Sequence, residues 1–314
     1  VTPSRRAVLL AAAGCLLTAC GGTGYDGPVR RLAIASGERG GFYLAFAEQL
    51  AAVLNRVEPN LRAVAVPTQA SVDNLRLLGT GEADLALTLA DSAESATRGE
   101  PPFAQPAGLR ALGRVYENYL QLVVRADGPV RDLAGLAGRT VSLGAAGSGS
   151  AVFGTRMLAA AGLSVRAEYL TLSAAVDGLR ERRIDAFLWS GGVPTPAVAE
   201  LAAGTAVRLV PLDGVLPALR AAYGPVYEQV RVPAGAYLGV GDLPTVGTPN
   251  LLVSAPSLPD DVAGAITRVL AGHATELVPE QAVGAQFLDV RTLIGTGRVP
   301  LHPGAAAAYR ELHG

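Results

Sequence analysis

Short stretches of glycine, serine and aromatic residues hold the side chains best suited to grip a small ligand. The first is residues 37–43, where Gly37, Gly40, Gly41, Phe42 and Tyr43 stand between an apolar run and an amphipathic one. A glycine turn of this kind leaves backbone N–H groups free at a helix start, which favours a carboxylate. Tyr43 is either an aromatic wall of that site or a ring packed outside a tight turn, and Arg39 faces an acid or water. The second is Gly147-Ser148-Gly149-Ser150. Its hydroxyl and N–H groups can hold a carboxylate from a second side, or only cap the helix that follows. It lacks the lysine of a P-loop, and Ala146 and Ser150 stand where a nucleophile elbow around Ser148 needs glycine. The third is Trp189, the only tryptophan, followed by Ser190-Gly191-Gly192. It either lines a cleft or fills a core. Ser71, with Asn74 one turn on, is a helix cap or a ligand contact. Asp91 either meets an amino group or caps a helix.

These residues need a frame that brings them together, and the pattern predicts one. Residues 32–35 read as a strand and 42–56 as a helix with Phe42, Phe46, Leu50, Val53 and Leu54 at helical spacing. A strand at 61–67, a helix at 72–78 capped by Ser71, and a strand at 83–88 follow, then two strands at 109–116 and 119–125. A second alternating set runs from 140 to 211: strand, glycine turn, helix 151–161, strand, helix 174–182, strand 184–189, helix 196–203 and strand. Residues 211–246 read as irregular, 249–254 as a returning strand, 259–275 as a long helix, and the tail as helical. Repeated β-α-β predicts mainly parallel sheets with helices on both faces. The 314 residues suggest about two domains. One echo ties the two sets: Val72-Asp73-Asn74-Leu75-Arg76 before Asp84, and Val176-Asp177-Gly178-Leu179-Arg180 before Asp185.

Composition removes several classes of function. Net charge is −1, which gives no attraction for nucleic acid. All 26 basic residues are arginine, so lysine Schiff-base chemistry is excluded. His273, His302 and His313 are too far apart in sequence to suggest a metal set. The beginning of the chain reads as an export signal over residues 1–19: Arg5-Arg6, an apolar run and Leu17-Thr18-Ala19-Cys20. That last stretch resembles a bacterial lipobox, which would lipidate Cys20 and anchor the chain to the bilayer outside the cytoplasm, with residues 20–30 as tether. The arginine pair resembles a twin-arginine signal. The alternative is an ordinary cleaved leader with a chance cysteine.

Gly40-Gly41-Phe42-Tyr43, residues 71–78, Gly81-Glu82-Ala83-Asp84 with Asp91, Val123-Val124-Arg125, Gly138-Arg139-Thr140-Val141-Ser142, Gly147-Ser148-Gly149-Ser150, Ile184-Asp185-Ala186-Phe187, Pro233-Ala234-Gly235-Ala236-Tyr237 and Leu301-His302-Pro303-Gly304-Ala305 occur in the order found in one family. The chain resembles the TAXI receptors of TRAP-type transport systems. The resemblance implies a type II periplasmic-binding-protein-like α/β fold of two lobes joined by crossing strands, with residues 31–125 plus 247–314 in one lobe and 126–246 in the other. It implies a small organic anion as ligand (glutamate-like, a dicarboxylate or an oxoacid), a membrane permease as partner, and no cofactor or catalysis. It also brings in Tyr116, near the crossing. Leu44, Ala45 and Leu89 depart from the family's usual Tyr, Pro and Gln. A sensor feeding a histidine kinase and an enzyme on a similar fold are the rival readings.

Overall fold

The computed structural model describes residues 24–278, 282–284 and 287–314; Cys20 and the leader lie outside them. The first alternating set forms β1 (Arg30–Ala35), α1 (Phe42–Val57), β2 (Leu61–Val66), α2 (Ser71–Thr80), β3 (Leu85–Leu89) and α3 (Ala90–Arg98). The crossing strand β4 (Arg110–Arg125) leads to β5 (Thr140–Ser142), α4 (Gly149–Ala161), β6 (Arg166–Glu168), α5 (Leu172–Arg180), β7 (Ala186–Gly191), α6 (Pro196–Gly204) and β8 (Val207–Val210). Then come α7 (Leu216–Tyr223), β9 (Glu228–Val232), β10 (Leu243–Ser254), α8 (Asp260–Gly272), α9 (Ala274–Leu277), α10 (Val290–Leu293) and α11 (Pro303–His313).

The strands make one mixed sheet in the order β2-β1-β3-β10-β4-β7-β5-β6, with β8 beside β4 and β9 beside β10. Pairing is parallel in the outer parts, β2-β1-β3 and β7-β5-β6, and antiparallel wherever β4 or β10 takes part. Four apolar clusters pack against this sheet. Two draw their buried residues from 25–116 and 251–309, the other two from 119–246. The chain therefore has two cores, and β4 and β10 each pass from one to the other. We call the two parts the first and second halves. Tyr119, Val123, Leu120, Leu122 and Val124 pack with the second, so the change of core falls inside β4, ahead of residue 125.

The echo seen in the sequence is an echo in hydrogen bonds. Asp84 Oδ2 accepts the N–H of Ala33 at 2.9 Å, and Asp185 Oδ2 accepts that of Thr140 at 2.9 Å. Each aspartate's own N–H returns to the carbonyl of the same residue, at 3.0 and 2.8 Å. Each side chain thus fixes the register between a half's first strand and the turn that follows its second helix.

Three expectations change. The two strands at 109–116 and 119–125 are a single 16-residue strand. Glu117 and Asn118, between the two expected strands, have partners that keep the strand continuous: Arg114 Nη2 of the same strand donates to Glu117 at 3.1 Å, and Asn118 Nδ2 donates to Ser190 Oγ of β7 at 3.2 Å. The stretch 211–246 is not irregular throughout, since it holds α7 and β9. Ser71 is the first residue of α2, not its cap; the cap position is Ala70, with φ 77°.

Glu117 is the buried acid of the crossing. Burial pushes its carboxyl up to about 8, against the pull of Arg114 and with the help of Glu228. A raised value means the folded chain binds the proton more tightly than the unfolded one. Its contribution to stability is therefore complete below about 4.5 and is lost as pH rises through about 8. Glu117→Gln is expected to remove that decline, so that denaturant midpoints of variant and parent, close together at pH 5, diverge in the variant's favour at pH 8.5. Parallel midpoints at both pH values would refute it.

Candidate functional site

Two helix starts, one from each half, meet at a small cavity. It is lined from the first half by Gly37, Glu38, Gly41, Phe42, Tyr43, Ala70, Ser71 and Leu89. From the second half come Ser148, Gly149, Ser150, Trp189, Ser190 and Gly191, and Asn118 lies on the crossing strand. The turn before α1 needs glycine at position 40, where φ is +78°. No side chain caps α1, so the N–H groups of its first turn are unclaimed by side chains. At α4, Ser148 Oγ accepts the N–H of Ala151 at 3.1 Å and donates to the carbonyl of Ala145 at 2.7 Å. That leaves the N–H groups of Gly149 and Ser150 without a capping side chain.

The walls are tied down by hydrogen bonds. The Tyr43 hydroxyl donates to Asn250 Oδ1 and lies 3.3 Å from Ser71 Oγ. Ser71 Oγ also accepts the N–H of Leu89 at 3.1 Å, which joins the start of α2 to the end of β3. Ser150 Oγ accepts the N–H of Ser190 at 2.8 Å, and Trp189 Nε1 donates to Thr195 Oγ1 at 3.0 Å. Burial raises the Tyr43 phenol far above its ordinary range, so it is a neutral hydroxyl.

The cavity volume is about 20 Å³. That is room for about one water. The two halves are closed on one another. A Cβ on Gly149 would lie 2.5 Å from Leu89 Cδ1 and 2.7 Å from Ser71 Oγ. The carbonyl of Gly147 accepts the N–H groups of Val72 and Asp73 at 3.0 and 3.1 Å, so the second half caps α2. In return, Glu38 Oε2 accepts the N–H of Leu172 at 2.7 Å, and the first half caps α5. A buried ion pair adds to these contacts. Arg156 Nη1 lies 3.3 Å from Asp91 Oδ2, Arg156 Nη2 donates to Ser95 Oγ at 2.6 Å, and the Tyr227 hydroxyl donates to Asp91 at 2.9 Å.

Of the residues singled out from the sequence, Gly41, Phe42, Tyr43, Ser71, Ser148, Gly149, Ser150 and Trp189 line the cavity. Six do not. Gly40 is exposed at the outside of its turn. Asn74 is a bracket, its Nδ2 donating to the carbonyls of Ser36 and Leu87 at 2.5 and 2.7 Å, which joins the ends of β1 and β3. Asp91 neither caps a helix nor faces the cavity, because Arg156 and Tyr227 claim it. Tyr116 is fully buried beneath Phe42, whose ring centroid is 4.7 Å away. Gly147 acts through its carbonyl, and Gly192 is packed so tightly on Phe42 that it leaves no space for a Cβ. Sequence reasoning missed Glu38, Ala70 and Asn118, and it named Ser190 and Gly191 only as the turn after Trp189. Glu38 sits inside the glycine turn already singled out and was the findable one. Asn118 reaches the site through the pairing of β4 with β7, where Leu120 faces Ser190, and no local signal encodes that register.

Comparison with known proteins bears on the family and the fold. The sequence pattern described as the NMT1-like family matches residues 34–312. A protein of Bordetella bronchiseptica RB50 superposes with a TM-score of 0.57 at 16% identity, over 90% of this chain and 98% of its own. A putative L-cystine ABC transporter protein from Listeria monocytogenes gives 0.52 at 14% identity, over 79% and 93%. The substrate binding protein of an amino acid ABC transporter gives 0.50 at 12%, over 79% and 96%. At these identities the likeness establishes the fold, a mixed sheet flanked by helices as in periplasmic binding proteins.

The Asp91–Arg156 pair carries an expectation about closure. Removing one partner of a buried pair leaves a charge stranded, at about 3–5 kcal/mol. Arg156→Ala is expected to shift the chain toward separated halves, read as a larger radius of gyration by small-angle X-ray scattering with unchanged far-ultraviolet circular dichroism. An unaltered radius would show that the pair does not hold the halves together.

Proposed function

The chain belongs to the NMT1-like family, and from that premise we propose that it is an extracytoplasmic solute-binding receptor and not an enzyme. One observation carries the reading: the helix starts of α1 and α4, from opposite halves, line the same cavity at the crossing strands. Backbone N–H groups at such starts favour an anion, and the Phe42, Tyr43 and Trp189 rings supply apolar contact. The ligand is a small organic anion, glutamate-like, a dicarboxylate or an oxoacid. A cavity of about 20 Å³ admits no such molecule, so the halves open to receive it and close around it. The change of core inside β4 supports one lobe of residues 31–116 with 247–314 and another of 119–246, rather than a boundary at 125, with β4 and β10 as the hinge.

The finer reading follows the TAXI resemblance. The receptor hands its ligand to a TRAP-type membrane permease, which recognises the closed form. Cys20 carries the lipid that holds the receptor at the outer face of the cell membrane, after export by the leader at 1–19.

Two measurements test this. Small carboxylates are expected to raise the melting temperature, since a ligand bound only by the folded chain stabilises it, by about 2.7 kcal/mol at a hundred times its Kd. A screen in which only neutral or cationic compounds act would overturn the anion assignment. In cells, palmitate is expected to label the parent chain and not Cys20→Ala; labelling that persists would reject the anchor.

A further inference from the structure

We propose that Glu38 is the specificity-determining residue of this cavity and narrows the organic-anion class above, selecting single carboxylates that bring a hydrogen-bond donor over its glutamate-like and dicarboxylate members; this rests on the cavity being the carboxylate site described above. Glu38 lies in the turn ahead of α1 and lines the cavity. Its two carboxylate oxygens have different surroundings. Oε2 takes the N–H of Leu172 across the gap at 2.7 Å. Oε1 is buried and has no partner. Asn118, 1% exposed on β4, repeats the pattern: Nδ2 donates to Ser190 Oγ at 3.2 Å, while Oδ1 is buried without a partner.

A buried acceptor left unpaired is costly, and a native site that keeps two along one cavity calls for a donor to reach them. The helix starts of α1 and α4 already supply donors for one carboxylate. The rest of the wall asks for the opposite: an ammonium or hydroxyl group on the same ligand. A second carboxylate has nothing to meet. No arginine or histidine is among the described residues lining the cavity, and Glu38 is the one carboxylate there. A second acid would sit beside a like charge in a water-poor space. Burial raises the Glu38 carboxyl above its ordinary range, with the Leu172 N–H pulling it back down. A ligand ammonium favours the ionised form, so binding and ionisation support one another.

The cap on α5 joins this selection to closure. Glu38 holds the second half with one oxygen, and the other, buried and unpaired, belongs to a side chain that lines the cavity. Closure therefore fixes that side chain at the cavity wall. None of the glycines and aromatics that drew attention to the turn would supply this discrimination.

The test uses four probes of one chain length: butyrate, 2-aminobutyrate, 2-hydroxybutyrate and succinate, titrated by calorimetry against the full chain and Glu38→Gln. Glutamine preserves the Leu172 bond through its amide oxygen and turns the free group from an acceptor into a donor. In the parent chain, 2-aminobutyrate and 2-hydroxybutyrate are expected to bind at least tenfold more tightly than butyrate, with succinate weakest. In Glu38→Gln the advantage of 2-aminobutyrate falls at least tenfold and succinate gains. Succinate binding the parent as well as 2-aminobutyrate, or an order unchanged by Glu38→Gln, overturns the role of Glu38 and leaves the carboxylate site standing. No heat or thermal shift with any of the four overturns the carboxylate site and this proposal together.

Discussion

Helix starts need partners for their N–H groups, and in this protein each half supplies them to the other. The carbonyl of Gly147 caps α2, and the carboxylate of Glu38 caps α5. Both contacts cross the gap between the two cores. They hold only while the halves lie against one another, and Gly149 lets them come that close because it has no Cβ to strike Leu89 and Ser71. At the starts of α1, and of α4 beyond the Ala151 N–H that Ser148 takes, first-turn N–H groups have no side-chain cap. Those two starts border the cavity. The same chemical need that locks the halves leaves uncapped N–H groups at this cavity.

The crossing strands make the arrangement possible. β4 and β10 are long, almost wholly buried and paired antiparallel along most of their common length. Every other strand belongs to one side. Rotation of the halves would therefore bend two strands and leave both cores packed. Polar residues on these strands are set where the cores meet: Glu117, Asn118, Thr248 and Asn250 are all buried, in a region where an apolar core would be the default. Asn118 lines the cavity and Asn250 anchors Tyr43, so burial there serves the site.

The NMT1-like family and the shared fold set the scaffold, and the cavity wall sets the chemistry of its surface. That wall is rich in backbone donors and hydroxyls and contains one carboxylate and no cationic side chain. Leu89, noted as a departure from the resembling receptors, stands directly against Gly149 and fills space that a polar side chain would contest. The chemistry of the site follows from a few side chains on a widely used scaffold.

Local features could be read directly from the chain. The alternation of strand and helix, the amphipathic face of α1, and the two glycine turns are set by spacing within a dozen residues, and each has its observed counterpart. The matching aspartates Asp84 and Asp185 were visible because a helix-to-strand turn makes the same demand twice. What the sequence could not give was which side chains would face one another. Asp91, read as an amino-group contact or a helix cap, is claimed by Arg156, 65 positions on, and Asn74, read with Ser71 as a cap or a ligand contact, holds two strand ends. Tyr116 went to the core, whereas Asn118, two residues along the same strand, reached the cavity. The reason is physical: spacing fixes which face of an element a residue occupies, but the register of β4 against β7 and the closeness of the two halves decide what lies opposite, and both are settled only when the whole sheet assembles.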